Sequence, residues 1–223
     1  KEKEFKRPDG RRVDEIREMS AKVGVVPNAD GSAMFAFGDT IAIAAVYGPR
    51  EMHPQHSQNP EKGTLRCNYS MLSFSVSERA RPGPNRRSIE ISKITEWALE
   101  PIVLIKKYPN MVIEVHINIL QANASTRCAG INAAALALAH AGIPMRGLVS
   151  SVSIGKLDKN LVIDVSKDEE DWEDGEGATD IPITLTSDGK ITHIQLDGKI
   201  TSKELKEVLK LARKANKEIF EIQ

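Results

Sequence analysis

The stretch from Asn123 to Gly142, NASTRCAGINAAALALAHAG, constrains the fold more than any other part of this chain. It has helical length but consists almost entirely of small and apolar residues, so it carries no polar stripe to turn towards water. Such a helix has to be tightly packed and buried. It is expected to start near Ser125 and to end at Gly142 and Pro144, because glycine accepts the turn that closes a helix and proline cannot continue one.

The material around it reads mostly as strands. Met19 to Pro49 gives strand, turn, strand, turn, strand, with SAKVGVV, the turn residues PNADG, SAMFAFG and DTIAIAAVYG in order. Arg50 to Thr64 is polar and broken by prolines and glycine, which predicts an exposed loop before the strand LRCNYSMLSF. From Ser88, the spacing of Ile89, Ile91, Ile94, Trp97, Ala98, Ile102 and Ile105 predicts a helix with one broad apolar face, kinked at Pro101. MVIEVHINIL alternates as a strand does. SSVSIGKL and NLVIDVS form a hairpin across Asp158, Lys159 and Asn160, and DIPITLT with ITHIQLDG a second across Ser187, Asp188 and Gly189. Thr201 and Glu204 make a capping box for a last helix that carries Leu205, Val208, Leu209, Ala212, Ile219 and Phe220 on one face. Hairpins and meanders separated by helices indicate an α+β fold, and the 223 residues suit one compact domain, 1–223.

Two cysteines, Cys67 and Cys128, provide no disulfide framework. No run approaches the roughly 20 apolar residues of a membrane helix, and KEKEFKRPDGRR lacks an apolar signal core. A soluble, cytoplasmic protein with no membrane partner is expected. Basic and acidic residues balance at 31 each, so overall charge points to neither nucleic acid nor membrane. The charges are nevertheless segregated. Residues 79–87, RARPGPNRR, hold four arginines, and residues 168–176, DEEDWEDGE, hold seven acids.

Ser125, Thr126 and Arg127 place two hydroxyls, free helix amides and a guanidinium at one helix start, a combination that suits phosphate; an ordinary cap beside a surface arginine has the same spelling. Arg86 and Arg87 enter the preceding helix from its positive end, where they form an anion site or are simply solvated. Arg66, Arg79 and Arg81 would extend a track along an RNA backbone. Aromatic residues are only 4% of the chain, so backbone contacts should outweigh base stacking. Asp180 begins an apolar strand, where burial would raise its pKa enough for it to carry a proton, and Asp174 lies nearby; the alternative is that the two hold a divalent cation such as Mg²⁺. Most of the run from Asp168 to Glu173 reads as a solvated loop. His53 and His56 have no second ligand pair at zinc spacing.

Five segments, RPDGR (Arg7–Arg11), GSAMFAFGDTIAIAAVYGP (Gly31–Pro49), RRSIEISK (Arg86–Lys93), ASTRCAGINAA (Ala124–Ala134) and ATDIP (Ala178–Pro182), fall in the order found in the RNase PH family of phosphorolytic exoribonucleases, which the chain resembles over nearly its whole length. The YGPRE run and the long acidic insert look most like the active ring subunits of archaeal exosomes, rather than the bacterial enzymes that mature transfer RNA. The resemblance implies a ribosomal protein S5 domain 2-like fold. It also implies a ring of three such chains alternating with three related inactive subunits, RNA-binding cap subunits, and single-stranded RNA 3′ ends as substrate. Inorganic phosphate would be the co-substrate, held by Ser125, Thr126 and Arg127. Arg86 and Arg87 would grip the RNA, Asp180 would be the catalytic acid, and Asp174 a second active-site acid. Thr126 stands where relatives often have serine, a change that keeps the hydroxyl. The competing readings are a stand-alone enzyme trimming transfer RNA, a non-catalytic ring scaffold and a plain RNA-binding domain.

Overall fold

The computed structural model describes residues 7–78, 80–172 and 177–223. Two sheets enclose the small-residue helix. The first has the order β1-β2-β3-β5-β4, from β1 (Met19–Val23), β2 (Gly31–Phe37), β3 (Thr40–Glu51), β4 (Thr64–Met71) and β5 (Met111–Gln121). The expected meander supplies its three antiparallel strands. β4 runs parallel to β5, which requires a crossover, and α1 (Arg86–Leu99) provides it. The second sheet, β7-β6-β8-β9, is antiparallel and holds both expected hairpins: β6 (Val149–Leu157) with β7 (Asn160–Ile163), and β8 (Ala178–Thr186) with β9 (Ile191–Ile194).

Helix α2 (Thr126–His140) packs against β2, β3 and β5 of the first sheet and β6 and β8 of the second. It is buried from Cys128 to Leu138, which explains its composition: alanine and glycine let both sheets approach its backbone. The C-terminal helix α4 (Ser202–Ile222) is opened by the Thr201–Glu204 capping box and buries Val208, Ala212, Ala215 and Ile219. β6 is buried over its whole length. Asn132 of α2 exchanges two hydrogen bonds with the Ser151 backbone, and Asn216 of α4 accepts from the Ser150 hydroxyl.

Three expectations need correction. The loop predicted from Arg50 begins later, because β3 continues to Glu51 and pairs Arg50 with Val112. Helix α1 stops at Leu99 instead of bending, since Pro101 offers no amide to extend it; Ile102 and Ile105 are buried beyond it, Ile105 in a short 3-10 turn. Its apolar face is also divided: Ile91, Ile94 and Ala98 are buried, whereas Ile89 and Trp97 are 62% and 57% exposed. A short helix, α3 (Lys167–Glu170), occupies part of the acidic run that read as a solvated loop, and Glu169 within it is fully buried.

Candidate active site

A cleft of about 620 Å³ opens between the starts of α1 and α2 and the strand β8. Arg87, Ser125, Thr126, Arg127 and Asp180 all line it. Each side chain is placed by a separate local device. Asn85 caps α1 by accepting from the Ser88 amide while the Ser88 hydroxyl accepts from the Asn85 amide, which puts Arg86 and Arg87 in the first turn. The amides of Cys67 and Tyr69 on edge strand β4 donate to Glu96 and Ser92, fixing α1 against the first sheet. Two cations at the positive end of a helix repel its dipole, an arrangement that a bound anion relieves.

At α2 the chain turns through two consecutive left-handed residues, Ala124 (φ +54°) and Ser125 (φ +53°). Non-glycine residues hold that conformation at a cost of about 1–3 kcal/mol each, which surrounding contacts must offset. Here the Ser125 hydroxyl donates to Asp164 Oδ1 and to the Val165 carbonyl, both at 3.2 Å. It therefore anchors the loop from within the cleft, which Ser125 and Thr126 both line. Ser125, the N-cap residue, makes no side-chain capping hydrogen bond to α2, an arrangement that suits the first amides to an anion.

Asp164 is itself buried and gripped by Arg17 through Nε and Nη2 at 2.7 Å. Arg7 forks onto Glu169 at 2.6 and 2.8 Å and donates to the carbonyls of Ile163 and Asp164. The RPDGR segment thus fastens the β7–α3 turn, and α3 presents Lys167 and Glu170 to the cleft, with Asp171 following.

Asp180 lies third in β8, its backbone paired with Asp197 and its carboxylate accepting a short hydrogen bond from the Ser153 hydroxyl. Burial raises its pKa above the usual carboxylate value, with Glu170 and Asp197 adding to the rise and Ser153 and Arg127 opposing it. Burial also raises the Tyr69 phenol, opposed first by a hydrogen bond with Thr126 and then by the charges of Arg87 and Arg127, so both guanidiniums act on one spot. Arg127 donates through Nη1 to Gln195 Oε1. His193, near Arg127, is pushed down to about 4 by burial and by that charge, so it is neutral at neutral pH. The Cys128 thiol, pushed up to about 12 by burial, is inert.

Not every candidate meets here. Arg86 is exposed beside Arg87 but does not line the cleft, and Arg81 is exposed on the preceding loop. Arg66 pairs with Glu114 across β4 and β5 at 3.2 Å, away from the cleft. Arg79 and Asp174 lie outside the described residues. Sequence reasoning missed Ser153, Gln195, Lys167 and Glu170. Two signals were available: the serines alternating through the apolar strand SSVSIG, and the capping-box spelling Ser166-x-x-Glu169 that announces α3.

This α+β scaffold, with a cationic helix start facing a buried acid, defines a site whose charges suit an anion. The chain belongs to the 3′ exoribonuclease (RNase PH) family, whose domain 1 matches residues 15–144 and domain 2 residues 147–215. It is 48% identical over 217 residues to the exosome complex component Rrp41 of Methanosarcina mazei, covering 97% of this chain and 43% of that protein. It is also 48% identical to the Rrp41 component of Thermococcus gammatolerans, over 98% of this chain and 86% of the relative. Its fold is shared with rice Rrp46, at a TM-score of 0.84 and 24% identity over 96% of this chain and 97% of that one. A chain of the Archaeoglobus fulgidus exosome with RNA bound to the active site superposes equally well, with a TM-score of 0.84 and 23% identity over 97% and 92% of the two chains.

Proposed function

We propose that this chain is the catalytic ring subunit of an archaeal exosome, shortening RNA from its 3′ end with inorganic phosphate as the nucleophile. The observation that carries the reading is the convergence of Arg87, Thr126, Arg127 and Asp180 on one cleft. Phosphate and a phosphodiester repel each other until cations and helix amides screen them. Arg127, Thr126 and the opening amides of α2 hold phosphate in line with the terminal diester. Arg87, with Arg86 beside it, holds the RNA and stabilises charge on the transferring phosphoryl group. Asp180, whose proton affinity burial raises, acts as the general acid and donates to the departing 3′ oxygen. The product is a nucleoside diphosphate. Because an anhydride replaces the diester, the reaction runs backwards with excess diphosphate and tails RNA. Asp174 and Asp180 are the residues that would hold a divalent cation such as Mg²⁺.

In this reading the chain alternates with a related inactive partner in a ring of six, with RNA-binding caps above it; the similarity to archaeal exosome components supports it. The test is incubation of the chain, with and without its ring partner, with labelled RNA and phosphate. Nucleoside diphosphates are expected; monophosphates, or no phosphate dependence, overturn the reading.

A further inference from the structure

Arg127 carries the charge at the mouth of α2, yet among the described residues no carboxylate forms an ion pair with it, and its Nε is buried without a hydrogen-bond partner. What holds the guanidinium is a neutral amide: Gln195, one residue past β9, accepts from Nη1. The other end of that amide donates from Nε2 to Glu90 Oε1 at 3.3 Å. A carboxylate only accepts, so Glu90 dictates that the amide nitrogen faces α1 and the amide oxygen faces Arg127. Glu90 lies one helical turn from Arg87, so the chain Glu90, Gln195, Arg127 ties together the two helix starts that bear the arginines.

We propose that Gln195 is a positioning residue for the phosphate subsite, orienting Arg127 while leaving its charge unneutralised. This rests on the phosphorolytic reading above. A carboxylate in its place would orient Arg127 equally well but would compete with phosphate for the same cation, which is why an amide fits the task. Phosphate affinity should therefore depend on residue 195 more than turnover does.

The test measures inorganic phosphate binding by calorimetry, and phosphate-dependent nucleotide release, on the chain in its native assembly. Gln195→Met keeps length and volume but loses both hydrogen bonds. It should weaken phosphate binding and raise the phosphate concentration for half-maximal rate by about 10-fold or more, the scale of a lost hydrogen bond to a charged group, with kcat at saturating phosphate within about 3-fold. Gln195→Glu should weaken phosphate binding further, and Glu90→Gln should act in the same direction but less. Unchanged phosphate affinity in both Gln195 variants, or loss of kcat with affinity intact, overturns the proposal. If the wild-type assembly binds phosphate in a Gln195-dependent way but releases no nucleoside diphosphate, the phosphorolytic reading falls while the subsite stands. A wild-type assembly that binds no phosphate removes both.

Discussion

At Asp180 the same burial that suits the side chain to chemistry works against the fold. Its pKa is raised in the folded state, so below its unfolded pKa both states are neutral and the group costs nothing. As pH rises from the unfolded to the folded value, the unfolded chain ionises first and stability falls; the loss is complete once the folded group ionises too. Asp180→Asn should therefore gain stability over the wild type at pH 8 and little at pH 4, a difference that thermal denaturation at the two pH values would reveal. Asp180→Ala should cut turnover by about 100-fold or more, the usual loss for a general acid, with RNA binding retained. Equal nucleotide release by that variant would remove Asp180 from the chemistry. Arg127→Glu should chiefly raise the phosphate requirement, and an unchanged dependence on phosphate would disprove the loop assignment. Asp180 and Arg127 were legible because each interrupts a recognisable pattern, an acid opening an apolar strand and a cation opening an apolar helix. Glu169 was not, because a buried acid within a run of seven acids is spelled like a solvated one until its partner Arg7, 162 residues away, is located. Gln195 carried no signal at all, since only the register of β9 brings it to Arg127.

Among the elements, α2 and the strands that cross it followed from composition and alternation, and α4 from its cap. α1 was overextended because apolar spacing persists through Ile102 and Ile105, which pack into the core without being helical. The closeness of α2 to the first sheet has a sharp consequence at Gly31 in β2. A Cβ there would lie 2.4 Å from the Ala141 amide nitrogen and 2.5 Å from the Ala137 carbonyl, both backbone atoms that cannot swing aside. Gly31→Ala should destabilise the protein by at least about 1–3 kcal/mol, the cost of overpacking a well-filled site, seen as a lower melting temperature. A melting curve identical to wild type would show that β2 can move off the helix.

Over the whole molecule, the cleft is lined by segments from Met71 to Pro182 and braced from as far as Arg7 and Gln195, and one apolar cluster joins residues of both sheets, α1, α2 and α4. The buried Arg7–Glu169 pair is what a cut near the N-terminus would break. Glu169→Ala should cost about 3–5 kcal/mol, because Arg7 loses its buried partner carboxylate, and nucleotide release should fall well below the melting point as α3 loosens. Full activity in a variant with that loss of stability would separate α3 from the cleft. The enclosure of α2 between the sheets has a further effect on motion. A helix walled in on both sides has no partial opening available to it, so its hydrogen-bonded amide protons from Ala129 to Leu138 should exchange with deuterium only when the entire molecule unfolds. The Ala124–Ser125 turn at its tip is anchored to Asp164 and Val165, so a phosphate bound as proposed would find its seat already shaped.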